Sequence, residues 1–229
     1  LLSAVPSIFH SIITREDLPS FDLSSLRAGV IGGAYCSPEM FCRIERTLGF
    51  TLLAGLGQTE ATAGITISGM DDPLPLRSTS VGRFVPHMEG KIAAPATGEP
   101  LPAGEIGEVC VRGKLLMRGY YGGGAESPID AGGWLHTGDL GRLDADGNVF
   151  LCGRIKEIIN RGGEKILPGE VEQWLERLPQ VERCKVIGVP DPYKMQKVIA
   201  FVVLKPDVKV SQEEARRILL AYCEKHIAK

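Results

Sequence analysis

The chain has 229 residues, enough for one large or two modest domains. Its 26 lysines and arginines nearly balance 28 aspartates and glutamates, so no overall field would hold nucleic acid or an anionic membrane, although a local basic patch stays open. No apolar run approaches the roughly 20 residues of a membrane span, and no basic-then-apolar leader opens the sequence, so a soluble protein without an integral membrane span is expected.

Residues 26–31 form a short apolar run that ends at Gly32-Gly33-Ala34, which predicts a buried strand entering a glycine turn. A helix should follow, with Ser37 as N-cap, Pro38 at its first position, Phe41, Ile44 and Leu48 on one face, and Gly49 just past its end. Residues 50–54 read as a second apolar strand that runs into Gly55-Leu56-Gly57-Gln58-Thr59-Glu60. Strand, helix, strand with glycine-rich turns is the unit of an open α/β sheet, and such sheets bind ligands at the carboxyl edge of their strands.

From residue 81 to residue 153 the pattern changes to short alternating segments split by Gly and Pro, which predicts antiparallel β structure. Asp146-Gly147 between Leu143 and Val149 signals a hairpin, because both residues tolerate the positive φ of a tight turn, and Arg154 lies just beyond its second strand. Next come a strand at 155–159, a turn at 161–164, and a helix with Val171, Trp174, Leu175 and Leu178 at helical spacing. Two strands near 185–189 and 197–204 follow. The last helix has Ser211 and Glu214 as a capping box, with Ile218, Leu219 and Tyr222 facing inward.

The expected division is thus residues 1–80 as part of an α/β subdomain with the Thr-Glu loop, 81–154 as an antiparallel, barrel-like β subdomain, and 155–229 as a small α+β domain. The chain starts at Leu1 rather than methionine and stops at Lys229 straight after a helical pattern, so both ends read as cut. The six cysteines (Cys36, Cys42, Cys110, Cys152, Cys184, Cys223) are scattered with no Cys-x-x-Cys pair. That spacing argues against zinc and for a reducing cytoplasm.

Several side chains carry possible chemistry. Gln58-Thr59-Glu60 offers backbone N–H groups, a hydroxyl and a carboxylate in one loop, as a Mg²⁺-bound triphosphate requires, or it is a solvated exit from a strand. Asp139, read as sitting on a tight turn, can accept from both ribose hydroxyls at about 1.5–3 kcal/mol per charge-assisted bond, or it is an ordinary turn aspartate. Arg154 suits a phosphate or ribose, or a surface pair with Glu157. Gly162-Gly163 makes a hairpin turn or lets a ligand approach bare backbone.

Taken in order, these segments resemble the adenylate-forming superfamily of acyl-CoA synthetases, peptide-synthetase adenylation domains and luciferases, over essentially the whole chain. Gly57-Gln58-Thr59-Glu60 is similar to the family's Gly-x-Thr-Glu loop, and Gly107-Glu108 through Gly119-Tyr120 to its Gly-Glu…Gly-Tyr segment. Residues 133–140 resemble its Gly-Trp…Thr-Gly-Asp-Leu, and residues 153–172 its Gly-Arg-x-Lys/Asp…Gly-Gly…Pro-x-Glu-x-Glu. The resemblance implies that Thr59 binds the AMP phosphate, Glu60 holds Mg²⁺, Asp139 the ribose hydroxyls, and Arg154 the ribose and phosphate side. It implies that Gly32, Gly33 and Ala34 wall the adenine and acyl pocket beside Leu56, Gly57 and Gln58. Lys156 would be a hinge, and Gly163 would lie beside the pantetheine tunnel.

Three departures stand out. Leu56 occupies the place of an aromatic that stacks on adenine, a contact worth about 1–3 kcal/mol, so weaker ATP binding is expected. Neither the family's Ser/Thr/Gly-rich phosphate loop nor its late Gly-Lys segment occurs in these residues. The 229 residues alone are therefore not expected to form acyl-adenylate efficiently.

The activity implied is ligation of a small carboxylic acid to CoA at the expense of ATP. A fatty or other small organic acid is favoured over an amino acid, because Val186-Ile-Gly-Val-Pro-Asp-Pro and Ala200-Phe-Val-Val-Leu-Lys resemble the acyl-CoA synthetase branch and Asp22-Leu-Ser-Ser-Leu-Arg27 its medium- and long-chain members, although Met195-Gln196 stands where those members have Gly-Glu. A non-catalytic nucleotide- or acyl-binding fragment and a peptide-synthetase adenylation domain are the alternatives.

Overall fold

The computed structural model describes residues 1–122 and 127–227. It contains two compact units, Leu1–Leu151 and Cys152–Lys229.

The first unit begins with β1 (Leu2–Ala4), α1 (Pro6–Ile13), β2 (Ala28–Ile31), α2 (Pro38–Leu48) and β3 (Thr51–Leu56). These three strands pair in parallel, each joined to the next through a helical crossover. β4 (Thr66–Ile67) and β5 (Arg83–Phe84), with α3 (Leu74–Thr79) between them, add antiparallel edges to make a five-stranded sheet. Phe9, Phe41 and Ile44 from the helices share one core with Leu52 of β3, each at most 1% exposed.

Helix α2 forms for the reasons legible in its sequence. Ser37 Oγ accepts the Met40 amide hydrogen, Pro38 occupies the first turn, and Gly49 closes the helix in the left-handed region at φ 70°. Beneath it, Arg77 forms a buried fork with Glu45 and also donates to the Leu52 carbonyl. Burial alone would raise the Glu45 carboxyl, but hydrogen bonds from Arg77 and the Leu52 amide outweigh it and hold the group below its ordinary range. Strand β1 and helix α1 are not legible in the sequence, since a three-residue strand is too short for alternation to declare itself.

A second sheet runs in chain order through β6 (Met88–Ala93), β7 (Gly107–Gly113), β8 (Leu135–Leu143) and β9 (Val149–Arg154), all within the first unit except residues 152–154 of β9. Between β8 and β9, Asp144 Oδ1 accepts the amides of Asp146 and Asn148, and Gly147 takes φ 79°, which is the expected Asp-Gly turn. Val109, Val111, Leu135 and Val149 fill the interior of this sheet together with Ala61 and Ile65.

The second unit contains β10 (Ile159–Arg161), β11 (Glu164–Ile166), α4 (Pro168–Glu176), β12 (Val181–Asp191), β13 (Met195–Leu204) and α5 (Gln212–His226). Its sheet order is β11-β10-β13-β12, over a core of Ile159, Val171, Leu175 and Val186. The strand expected at 155–159 is corrected. Residues Ile155–Glu157 form a single 3-10 turn, and the strand is Ile159–Arg161. The two-glycine turn fixes this register: Gly162 and Gly163 both have positive φ (64° and 96°), so Arg161 pairs with Glu164 and Ile159 with Ile166.

Helix α4 stops at Glu176, so Leu178 lies beyond it rather than on its face. On α5 the Ser211 cap bonds the Glu214 amide as expected, while Ile218, Leu219 and Tyr222 are only half-buried. Among the described residues no helix is long and apolar enough to cross a membrane.

Candidate functional site

Parallel strands β2 and β3 lie side by side, so Gly32-Gly33-Ala34 and Gly57-Gln58-Thr59-Glu60 leave the sheet from the same edge. The packing there needs small residues. A side chain at Gly32 would come within 2.7 Å of the Gly55 carbonyl oxygen, and one at Gly57 would collide with the Ala63 backbone. Gly33 has φ 77°, and Leu56 packs partly buried against the second core.

Thr59–Ala61 is one turn of 3-10 helix, followed by Thr62 and Ala63 in the left-handed region (φ 51° and 59°). Each such non-glycine residue costs on the order of 1–3 kcal/mol and persists only where surrounding contacts impose it. Here the Ala63 amide donates to the Gln58 carbonyl (3.0 Å), and Thr62 Oγ1 donates to the Leu115 carbonyl (2.7 Å). The Met117 amide donates to the Glu60 carbonyl (2.8 Å), and the buried Ala61 anchors the turn in the second core. Thr59 is exposed. The Glu60 carboxylate accepts a 2.7 Å bond from the Tyr120 hydroxyl, and this bond raises the phenol above its usual range. An exposed hydroxyl next to a carboxylate suits Mg²⁺, which takes one or two carboxylates along with phosphate and water oxygens.

Asp139 is not on a turn between strands, and that expectation is corrected. It lies within β8, on a bulge. Glu108 pairs with Leu140 and Cys110 with His136, so Thr137, Gly138 and Asp139 together face Val109 alone. Bulges of this kind re-aim a side chain. Thr137 Oγ1 fills the gap in the ladder by donating to the Val109 carbonyl (2.7 Å) and accepting the Asp139 amide (3.1 Å). Gly138 supplies the positive φ of 73°. Asp139 itself is 9% exposed.

A second carboxylate underlies the bulge. Glu108, 5% exposed, accepts the Gly138 amide through Oε1 (2.9 Å) and contacts His136 Nδ1 through Oε2 (2.7 Å). His136 Nε2 lies 3.4 Å from Asp130 Oδ2. The bond to Glu108, above all, raises the imidazole above its ordinary value, while burial works against it. Asp130 is held low, first by the Trp134 amide and also by His136. Ligand atoms of Glu108, Cys110 and His136 also lie within 4.8 Å of one another, but the 2.7 Å between ring nitrogen and carboxylate is the length of a shared proton. Burial pushes the Cys110 thiol up to about 12, which leaves it inert at neutral pH.

The predicted residues are therefore shared between the units. Gly32, Gly33, Ala34, Leu56, Gly57, Gln58, Thr59, Glu60 and Asp139 belong to the first, with Glu60 and Asp139 both carried by elements anchored in the second core. Arg154, Lys156 and Gly163 belong to the second. Arg154 ends β9 and is exposed, Lys156 is exposed in the 3-10 turn, and Gly163 sits in the β10–β11 hairpin with its amide donated to Asn160 Oδ1 (3.1 Å). Sequence reasoning missed His136 and the role of Glu108, which lie 28 residues apart. The available signal was a lone acid and a lone histidine in alternating β segments.

These features place the chain in a known class. Residues 1–121 match the model of the AMP-binding enzyme family and residues 170–229 that of the AMP-binding enzyme C-terminal domain. The chain belongs to the AMP-binding enzyme family. It is 38% identical over its full length to 42% of a 3-[(3aS,4S,7aS)-7a-methyl-1,5-dioxo-octahydro-1H-inden-4-yl]propanoyl:CoA ligase from Rhodococcus jostii. It is 32% identical, again over its full length, to 37% of the mitochondrial medium-chain acyl-CoA ligase ACSF2 of Rattus norvegicus. Among solved structures, the amide bond synthetase McbA of Marinactinospora thermotolerans superposes with a TM-score of 0.83 at 34% identity, covering 99% of this chain and 45% of that one. The chain thus spans about 40% of the length of the curated relatives it matches.

Proposed function

We propose that this chain is part of an ATP-dependent acyl-CoA ligase acting on a fatty acid. The acid's carboxylate oxygen attacks the α-phosphorus of ATP, the bond to the β-phosphate breaks, and pyrophosphate leaves. The thiol of CoA then attacks the acyl carbon of the adenylate, loses its proton, and displaces AMP. In this reading Asp139 accepts hydrogen bonds from the ribose hydroxyls, Thr59 meets the AMP phosphate, and Glu60 holds Mg²⁺, which supplies neutralising charge to the phosphates. Gly32, Gly33, Ala34, Leu56, Gly57 and Gln58 line the adenine and acyl side. Arg154 serves the ribose and phosphate, Lys156 is the hinge for the thioester step, and Gly163 borders the path of CoA.

The observation that carries the reading is the Thr137-Gly138-Asp139 bulge. It sets a nearly buried carboxylate at a break in the ladder of a strand rooted in the same core as the Thr-Glu turn. A bulge is a local device that re-aims one side chain of a strand, and an ionised carboxylate accepts hydrogen bonds from a pair of hydroxyls. Relatives that join acids to CoA support the second half-reaction, and a medium-chain relative supports a fatty acid.

The test is acid-dependent exchange of pyrophosphate into ATP by the longer protein that contains this chain. Asp139→Ala should lower that exchange about tenfold or more, and unchanged exchange in the variant would remove the ribose assignment. The likeness to an amide bond synthetase favours a second reading, in which an amine replaces CoA as acyl acceptor. Product analysis with CoA or an amine supplied singly separates the two, and a cytoplasmic site of action is proposed for either.

A further inference from the structure

We propose that Glu108 and His136 are positioning residues: the protonated imidazole holds the Glu108 carboxylate against the Gly138 amide, which sets the bulge bearing Asp139, so that adenosine binding weakens when the ring loses its proton. The step to adenosine rests on the ribose role of Asp139, whereas the clasp rests on its own geometry.

Each ring nitrogen of His136 faces a carboxylate, with Nδ1 2.7 Å from Glu108 Oε2 and Nε2 3.4 Å from Asp130 Oδ2. Neutral imidazole carries one N–H and imidazolium two, so serving both acids requires the charged ring. The Glu108 side chain is only 7% exposed. A buried carboxylate is costly unless paired and fully hydrogen-bonded, and its two oxygens are served by two donors, the ring and the Gly138 amide.

When the ring becomes neutral, Glu108 loses its counter-charge. The carboxylate then swings toward water or takes up a proton, and either change weakens its bond to the Gly138 amide. Gly138 sits at φ 73°, directly before Asp139, so movement of its peptide plane turns the Asp139 carboxylate.

The surroundings leave His136 as the titrating member. Glu108 and Cys110 face it from β7 and Asp130 from the loop before β8, and the first-unit portion of β9, residues 149–151, carries no titratable side chain. Lys91 on β6 pairs with Cys110 in register, and its amine and the Arg112 guanidinium both lie over the Trp134 ring rather than on His136. The raised imidazole fixes the sign. The clasp is complete below the ordinary histidine value of 6.5 and is lost as pH rises through the higher folded value.

The test uses ¹⁵N-labelled protein titrated from about pH 6 to about pH 9, following the His136 ring and the Gly138 amide by NMR. Affinity for adenosine is measured at both ends, since adenosine carries no group that titrates in this range. The Gly138 amide should shift with the same midpoint as the His136 ring, and adenosine affinity should fall about tenfold across the range. Glu108→Gln keeps an acceptor for Gly138 without the charge, so its Gly138 amide and its adenosine affinity should be flat with pH.

A Gly138 amide blind to the His136 midpoint would overturn the clasp, and that measurement needs no variant to fold. The same adenosine profile in Glu108→Gln as in the parent would overturn the coupling. If adenosine fails to bind at any pH while Gly138 still follows His136, the ribose reading falls and the coupling with it, but the clasp stands.

Discussion

The two units hold themselves together with different amounts of interior. The first fills its parallel sheet with whole aromatic rings, Phe9 and Phe41, and closes it with the Arg77–Glu45 fork. The second relies on Ile159, Leu175, Val181 and Val186, and its last helix has no fully buried side chain. Stability within a chain follows buried apolar contact rather than secondary-structure content, so the second unit should open first. Each unit has one tryptophan, Trp134 in the first and Trp174 in the second, so fluorescence of single-tryptophan variants reads them separately.

The largest expected effect is Phe41→Ala, which should cost the first unit about 3–5 kcal/mol in urea unfolding and leave the Trp174 transition in place. Leu175→Ala should cost the second unit about 2–5 kcal/mol with the opposite selectivity. If both signals shift together in both variants, the chain unfolds as one body and the contrast is wrong.

Acid should act on the units with opposite signs. Glu45 in the first is held below its ordinary value, so its contribution is present above 4.5 and fades as pH falls through the lower folded value. Glu176 in the second is raised, by burial first and Glu172 next, so it favours the folded unit below 4.5 and loses that contribution as pH rises through its folded value. Melting followed at Trp174 should therefore respond to Glu176→Gln with a gain near neutrality and none in acid. An unchanged profile would refute the assignment.

Two smaller changes sharpen the picture. Met195 holds φ 62°, so Met195→Gly should stabilise the second unit by about 1 kcal/mol. Ser37→Ala should cost about 1 kcal/mol through loss of the cap on α2. Both are measured by thermal melting, and a loss for the first or no change for the second would contradict the backbone account.

What the sequence disclosed follows from the range of the interactions. Helix α2 was readable in full because Ser37, Pro38 and Gly49 act within a turn of their own positions. The Asp146-Gly147 and Gly162-Gly163 turns were readable for the same reason. The strand at 155–159 was misplaced because apolar content suggests a strand but the two-glycine turn decides where pairing begins. Asp139 was recognised as a chemical group, yet its bulge was hidden, since it depends on Glu108 reaching Gly138 from 30 residues away. Met195-Gln196 was visible as a departure. Only the structure gives its form: the methionine sits in a conformation suited to glycine, and the glutamine oxygen accepts the Asn160 amide at 2.7 Å.

The consecutive left-handed residues Thr62 and Ala63 bear on how this protein could be engineered. A β-branched residue pays most for that conformation, so glycine at position 62 would relax the backbone directly after the Thr-Glu turn. A selection for heat tolerance alone would favour that replacement and, in the same step, free the segment that presents Glu60. Thermostabilised libraries of the longer protein that contains this chain should therefore be screened at position 62 for acid-dependent pyrophosphate exchange before any gain in melting temperature there is accepted.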